Sequence, residues 1–209
     1  MGQASDLTKW KRRAHYEHFR GYRQPFFSVC VDLDATRLWR RARSHGGPPF
    51  FLSSLFLMLS AVNATEAFRL RLRRRGVWRH DRIAVGPTLL RPDHTFAFAR
   101  LEPAGTLKKF IAGGNRAIAE SVEGDSLSSS STGDDIVYQS SLPWLRFTAF
   151  TNAIDAGDSI PRIVFGQCAR VGRRYLMPMS VEVHHAVVDG LDVARFTELF
   201  QDELADFRG

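Results

Sequence analysis

"VEVHHAVVDGLDVARF", residues 181–196, changes its hydrophobic period within one short stretch. Its first residues alternate apolar and polar side chains, which is typical of a strand with one buried face. The continuation "DVARFTELFQDELADF" instead predicts an amphipathic helix, whose apolar face carries Val193, Phe196, Leu199 and Phe200. A strand that leads through two histidines into a helix indicates an α/β fold with candidate chemistry at a strand end.

Strand and helix patterns also intermix through the rest of the chain. Period-two runs predict strands at "FSVCVDLD", "DRIAVGPTLL", "HTFAFARLE", "IVYQSS", "LPWLRFTAF" and "RIVFGQCARV". The apolar segment Phe50–Ala64 predicts a buried helix, "AGTLKKFIAGGNRAIAESV" predicts a second, and Asp34 can cap a third that follows it. We therefore expect an α/β fold, a mixed, largely antiparallel sheet covered by helices, in one domain over residues 1–209.

Two polar stretches are not predicted to form a functional site. Arg69, Arg71 and Arg73 alternate along "FRLRLRRRGVWRH", and this spacing predicts the solvated face of an antiparallel hairpin. The Ser, Gly and Asp residues of Glu123–Asp135 predict a mobile loop between elements of the same domain.

Composition narrows the class of protein. The 209 residues carry a formal charge of +7, which favours polyanionic ligands, but the basic residues are dispersed and match no nucleic-acid-binding module. The longest apolar stretch, Phe50 to Val62, is too short to span a bilayer, and residues 1–13 do not resemble a secretory signal. We expect a cytoplasmic protein that binds neither nucleic acid nor a membrane.

Metal binding is not expected. The two cysteines, Cys30 and Cys168, stand alone in apolar runs, without a CxxC or Cys/His ligand spacing. His184 and His185 have no third ligand at helical spacing nearby.

The histidine pair is the strongest candidate for chemistry. Histidine can act as a general base near neutral pH, because its ordinary pKa is about 6.5. Neighbouring side chains of a strand point to opposite faces, so His184 and His185 share one cleft only if the strand ends between them. One catalytic and one structural histidine is the first interpretation. A pair of satisfied core histidines, with Asp189 as a polar partner, is the alternative.

Three separated motifs resemble the chloramphenicol acetyltransferase family, and more distantly other CoA-dependent acyltransferases with an HxxxDG motif. They are "WKRRAHYEHF" from Trp10, "SSLPW" from Ser140, and "LMPMSVEVHHAVVDG" with the helix that follows it. Their order and spacing are those of the family, and the resemblance extends from Trp10 to about Leu204. It implies a two-layer sandwich of the chloramphenicol acetyltransferase type.

The resemblance also assigns roles. His185 would be the general base that takes the proton of an acceptor hydroxyl as the oxygen attacks acetyl-CoA, and Ser140 would stabilise the oxyanion. Asp189 would pair with Arg12 and hold the histidine segment in place. The protein would be a homotrimer with active sites at subunit interfaces, and coenzyme A and a small-molecule alcohol would be its partners.

Several positions depart from the family pattern. Leu191 and Asp192 replace an aromatic residue and a histidine, and Val164 stands where the family has a threonine. Among the substrate-binding positions, Phe96 matches an aromatic wall, Phe19 replaces a tyrosine, and Asn152 replaces an apolar residue. A buried amide needs hydrogen-bonding partners, so the acceptor could be more polar than chloramphenicol.

The first hypothesis is therefore an acetyl-CoA-dependent O-acetyltransferase acting on chloramphenicol or a similar small molecule. The alternatives are an acyltransferase of the same fold with a different natural-product alcohol, and a degenerate homologue that binds a ligand or partner without turnover.

Overall fold

A computed structural model describes residues 2–74, 76–124, 133–155 and 157–208. Its five α-helices are α1 (Arg13–Phe19), α2 (Thr36–Ala42), α3 (Phe50–Ala64), α4 (Leu107–Glu123) and α5 (Gly190–Asp206). Its ten strands are β1 (Gly2–Ala4), β2 (Phe26–Asp34), β3 (Leu70–Arg73), β4 (Gly76–His80), β5 (Ala84–Leu90), β6 (Phe96–Phe98), β7 (Ile136–Ser141), β8 (Arg162–Phe165), β9 (Ala169–Val171) and β10 (Arg174–His184). The loop predicted over Glu123–Asp135 falls largely outside the described residues.

Seven strands form the main sheet, in the order β2-β10-β8-β7-β5-β6 with β9 paired to β10. β7 is parallel to both of its neighbours, whereas the remaining pairs are antiparallel. β1, β4 and β3 form a second, three-stranded sheet. The predicted α/β class with a mixed, largely antiparallel sheet is confirmed, although β5 belongs to a parallel pair as well as to the predicted antiparallel one.

The two faces of β10 have different characters, and this difference positions the site. Met177, Met179, Val181 and Val183 face the core, where they join the buried side chains of α3 and α5. The intervening residues Ser180, Glu182 and His184 are polar and point to the opposite face, because side chains alternate along a strand.

The buried helix α3 has the predicted bounds, because a run of apolar residues reaches from Phe50 to Ala64. Thr65 ends it because its backbone is extended, with φ −93° and ψ 106°, and its side-chain hydroxyl donates to the carbonyl of Ala61. On α5 the predicted apolar face is correct except at Leu199, which is exposed, while Leu204 is buried.

The prediction that Arg71 faces solvent is wrong. Its side chain is fully buried and donates to the backbone carbonyls of Phe68, Leu70, Asp134 and Ile136. These bonds attach β3 to the segment that enters β7, so the second sheet is fixed to the main one. Burial lowers the pKa of Arg71 to about 10. Arg73 is exposed, as expected.

The segment "LPWLRFTAF", predicted as a strand, contains no strand in the structure. Instead Leu142 donates its N–H to Phe165, and Gln167 donates its N–H to the carbonyl of Leu145. This irregular segment therefore follows the end of β8, and Trp144 and Leu145 within it are exposed.

Candidate active site

A tight turn joins β10 to α5 and separates the two histidines. β10 ends at His184, and His185 donates its backbone N–H to the carbonyl of Pro25. Val187 and Val188 both donate their N–H groups to the carbonyl of His184. The strand thus ends between the histidines, and their rings occupy different environments.

His184 lies in the interior. Its ring is buried, contacts Phe26 edge-on, and accepts a hydrogen bond at Nδ1 from the N–H of Ala186 at 3.2 Å. Burial lowers the pKa of His184 to about 4, so the ring is neutral at physiological pH. This geometry fits a structural histidine.

His185 is half-buried between two aromatic rings. Its imidazole stacks on Phe19 with centroids 4.0 Å apart, and Phe27 lies at 4.8 Å. Nδ1 is 3.2 Å from the carbonyl oxygen of Val188. A carbonyl oxygen only accepts, so this contact places the proton on Nδ1 and leaves the lone pair on Nε2. A neutral imidazole in this tautomer can accept a proton at Nε2.

An arginine on the other side of the turn links α1 to α5. Arg12 Nη2 is 3.3 Å from Asp189 Oδ2, and its Nη1 also contacts Asp192. Asp189 caps α5 by accepting the N–H groups of Leu191 and Asp192, and Asp192 accepts the N–H of Asp189 in return. Against the effect of burial, the N–H of Asp192 and the charge of Arg12 hold the pKa of Asp189 below its usual value.

Arg12 therefore holds together the two helices next to His185, α1 and α5. It immediately precedes α1, whose last residue is Phe19, and it binds the first turn of α5. Sequence reasoning treated Asp192 only as a departure from a pattern. Its spacing of three residues after Asp189 was the signal for a reciprocal helix cap.

Ser140 lies elsewhere, at the end of β7 in a cavity of about 560 Å³. Its hydroxyl is 3.1 Å from that of Thr88 on β5. Phe96 and Asn152 also line the cavity, as do the aromatic residues Phe98 and Tyr138. The structure thus brings three of the predicted site residues together around one cavity.

The cavity has polar walls that sequence reasoning did not assign. Arg162 lines it from β8 and binds Asp158, and Glu182 on β10 accepts hydrogen bonds from the backbone and side-chain nitrogens of Asn152. Glu182 and Arg162 are directly opposite each other in neighbouring strands. Each is a lone charge within an apolar run, "VEVHH" and "PRIVF", and that pattern was the available signal.

Within one chain, His185 is far from Ser140. Register places Ser140 opposite Val164 and Val164 opposite Ser180, so Ser140 lies two strands from Ser180. His185 follows Ser180 by five residues, which places its Cα on the order of 15–20 Å from that of Ser140. In the part of the chain that the structure describes, neither His185 nor Phe19 lines the cavity.

Three further findings limit the chemistry of the chain. Over the described ranges, no cluster of three or more His, Cys, Asp or Glu side chains could hold a metal ion. None of the described helices combines the length and apolar character needed to cross a bilayer. Both cysteines are free, and burial raises the pKa of Cys168 to about 11, which keeps its thiol protonated at neutral pH.

Comparison with known proteins identifies relatives along nearly the whole chain. A family model described as chloramphenicol acetyltransferase matches residues 3–201. Chloramphenicol acetyltransferase 2 of Escherichia coli is 32% identical, covering 94% of this chain and 93% of its own length. The chloramphenicol acetyltransferase of Streptomyces acrimycini is 31% identical, covering 96% of this chain and 93% of its own.

Solved structures share the fold. One chloramphenicol acetyltransferase superposes with a TM-score of 0.87 at 24% identity, covering 98% of this chain and all of its own. A dihydrolipoamide acetyltransferase from Azotobacter vinelandii superposes with a TM-score of 0.66 at 18% identity, covering 94% and 87% of the two chains. That structure addresses the role of a serine, a histidine and an asparagine in the catalytic mechanism of its own enzyme.

Proposed function

The chain belongs to the chloramphenicol acetyltransferase family, and from this premise we propose that it is an acetyl-CoA-dependent O-acetyltransferase. Its acceptor is a hydroxyl of chloramphenicol or of a similar small molecule. His185 is the general base, and Ser140 is the oxyanion donor. An activity on chloramphenicol would make the protein an antibiotic-resistance enzyme.

The observation that carries this proposal is the tautomer of His185. The Val188 carbonyl holds the proton on Nδ1, and the rings of Phe19 and Phe27 limit rotation of the imidazole. Nε2 can then take the proton of the acceptor hydroxyl while the hydroxyl oxygen attacks the thioester carbonyl. Direct transfer needs no acyl-enzyme, and the imidazolium returns its proton to the departing thiolate of coenzyme A.

Ser140 is suited to the second role by its position in the cavity wall. Its hydroxyl lies beside that of Thr88, which can accept a hydrogen bond from it in the free protein and orient it. During transfer the same hydroxyl would donate to the developing oxyanion. Loss of one such donor typically lowers kcat about 10²- to 10³-fold.

The distance between Ser140 and His185 supports a site shared between copies of the chain. Since one chain keeps the two side chains on the order of 15–20 Å apart, the base of one copy must meet the cavity of another. We propose a homotrimer in which each interface forms one active site, with residues 1–209 as a single chloramphenicol acetyltransferase-like domain acting in the cytoplasm. Coenzyme A and the alcohol would enter these interfacial sites.

Arg12, Asp189 and Asp192 support the base without touching substrate. They hold the turn that carries His185 and the end of α1 that carries Phe19. In the assembled site we assign Phe96, Asn152 and Phe19 to the surroundings of the acceptor. No metal takes part in this mechanism.

The test is release of the coenzyme A thiol from acetyl-CoA in the presence of chloramphenicol or other alcohols. His185→Gln should lower kcat about 10²- to 10⁴-fold with intact folding, and Ser140→Ala about 10²- to 10³-fold. Ser180→Ala, which changes a serine of β10 outside the cavity lining, is the matched control. A Ser140→Ala rate within a few fold of the parent would remove the oxyanion assignment.

The two alternatives give other results in the same assay. Thiol release with natural-product alcohols but not with chloramphenicol would indicate an acyltransferase with a different acceptor. Absence of release with a broad panel of alcohols would indicate a homologue that binds a ligand or partner without turnover.

A further inference from the structure

The cavity around Ser140 is lined by both aromatic and polar side chains. Phe96, Phe98 and Tyr138 are the aromatic residues, and Asn152 and Arg162 are among the polar ones. The amide nitrogen of Asn152 donates to Glu182 at 2.6 Å. Among the described residues that line the cavity, the one charged side chain is that of Arg162.

Arg162 is a buried arginine with a fixed orientation. Its side chain is 8% exposed, and its guanidinium carbon lies 5.5 Å from the ring centre of Tyr138 and 5.6 Å from that of Phe26. Tyr138 is its direct neighbour across the β7–β8 pair. A planar guanidinium held between aromatic rings loses little entropy when it donates to a ligand.

The charge of Arg162 is already neutralised. Its Nη2 donates to Asp158 Oδ2 at 2.5 Å, and its Nη1 donates to the carbonyl of Ile160 at 3.0 Å. Asp158 is also mostly buried, with 14% of its side chain exposed. Among the described residues, these contacts account for two of the five N–H groups of the guanidinium. The remaining groups offer hydrogen bonds without a net positive charge.

Glu182 adds a second negative charge beside the guanidinium of Arg162. It lies directly opposite Arg162 on β10 and is itself buried. Two carboxylates, those of Asp158 and Glu182, therefore accompany one guanidinium beside the cavity. A ligand carboxylate bound to Arg162 would be repelled by both of these charges, whereas a neutral acceptor group would not.

We infer that Arg162 selects acceptor alcohols that carry an uncharged hydrogen-bond-accepting group, such as an amide or a ketone, remote from the reacting hydroxyl. The inference rests on the proposed function and specifies its substrate class. Register sets the spacing, since Arg162 pairs with Tyr138, two residues before Ser140. The Cα atoms of Arg162 and Ser140 are thus about 8 Å apart, which is close to the length of a para-substituted benzyl alcohol.

Three benzyl alcohols test the inference. 4-(Hydroxymethyl)benzamide carries the neutral acceptor group, 4-isopropylbenzyl alcohol has the same shape without it, and 4-(hydroxymethyl)benzoate carries a charge. We expect kcat/KM for the amide to exceed that for the isopropyl compound at least about tenfold, because a site built to hydrogen-bond rejects the analogue that cannot. The benzoate should be poorer than the amide.

The matched variants remove the ion pair as a unit. Arg162→Met with Asp158→Asn leaves no unpaired buried carboxylate and should bring the amide-to-isopropyl ratio of kcat/KM close to one. Arg162→Lys keeps the charge without the planar fork and should also lower the ratio. The control pair Arg79→Met with Glu66→Gln removes an ion pair of the second sheet and should leave the ratio unchanged.

Calorimetric binding of the same alcohols separates this inference from the proposed function. Absence of thiol release with every acceptor would overturn the function, while tighter binding of the amide, lost in the paired variant, would still support the role of Arg162. A ratio near one in the parent, an unchanged ratio in the paired variant, or a preference for the benzoate would overturn the inference. Absence of binding of all three alcohols would overturn it as well.

Discussion

The ring of Phe19 lies flat against the imidazole of His185, at 4.0 Å between centroids and with 20° between the planes. Phe19 is the last residue of α1, and Arg12 anchors the start of that helix to α5. The orientation of the proposed base thus depends on a helix from the opposite end of the sequence.

Phe19→Leu tests this dependence. The smaller side chain should free the imidazole to rotate, so kcat should fall about tenfold, with a smaller change in KM for the acceptor because Phe19 also lies near the acceptor in the proposed site. Phe98→Leu changes a cavity wall instead and should raise KM with a smaller effect on kcat. Steady-state kinetics with both substrates distinguish the two patterns, and an increase in KM alone for Phe19→Leu would contradict a positioning role.

Mixed oligomers test whether the site is shared between chains. His185→Gln and Ser140→Ala should each be nearly inactive. After they are unfolded and refolded together in equal amounts, about a quarter of the interfaces should combine an intact base with an intact serine, and about a quarter of the parental activity should return. A mixture no more active than its components would place both residues in the same chain's site. Separately refolded and then mixed samples are the control.

The paired carboxylates around Arg12 predict unequal effects of single and double variants. Because Asp189 and Asp192 both contact the guanidinium, Asp189→Asn and Asp192→Asn should each lower the free energy of unfolding by about 1–2 kcal/mol. The double variant leaves the largely buried charge of Arg12 without these two carboxylates. It should lower the free energy of unfolding by about 3–5 kcal/mol, more than the sum of the single effects.

Urea unfolding monitored by circular dichroism measures these differences. Glu17→Gln, which breaks the exposed pair between Glu17 and Arg13, is the control and should cost less than about 1 kcal/mol. Additive effects of the two aspartate variants would indicate that they do not share Arg12.

His184 predicts a loss of stability in weak acid. Its pKa is about 6.5 in the unfolded chain and about 4 in the folded protein, so the unfolded state binds more protons between these values. The free energy of unfolding should therefore be highest above pH 6.5 and should fall by up to about 3 kcal/mol as the pH decreases toward 4.

His184→Asn keeps a hydrogen-bond acceptor for the N–H of Ala186 and should remove most of this pH dependence. His80, whose pKa is also lowered by burial, contributes a dependence of the same sign that the variant leaves in place. Denaturation curves between pH 4 and 8 make the comparison. An unchanged slope in the variant would show that His184 titrates normally.

Hydrophobic periodicity predicted the elements that pack against the core. α3 has the expected bounds because its sequence is mostly apolar, and β10 and α5 follow from the change of period around residue 185. Arg71 and the segment after Ser141 could not be predicted in this way. An alternating pattern does not reveal whether a partner covers the polar face, and the carbonyls that bind Arg71 belong partly to residues more than sixty positions away.

The candidate site, too, could be predicted only in part from the sequence. The resemblance of three motifs to a family led to the proposed roles of His185, Ser140 and Asp189. The pairing of Arg12 with two aspartates, and of Arg162 with Asp158, depends on how distant strands and helices meet. Resemblance anticipated the Arg12–Asp189 contact, but only the fold reveals that Asp192 shares it and that Glu182 occupies the amide of Asn152.

The separation of His185 from the cavity of its own chain bears on how the enzyme could be blocked. In the proposed homotrimer, a small molecule that covered the rings of Phe19 and His185 would act without resembling either substrate, because it would keep the proposed base of one copy out of its neighbour's cavity. Such a compound would compete with self-association, so its potency would depend on protein concentration and would be greatest against newly made chains.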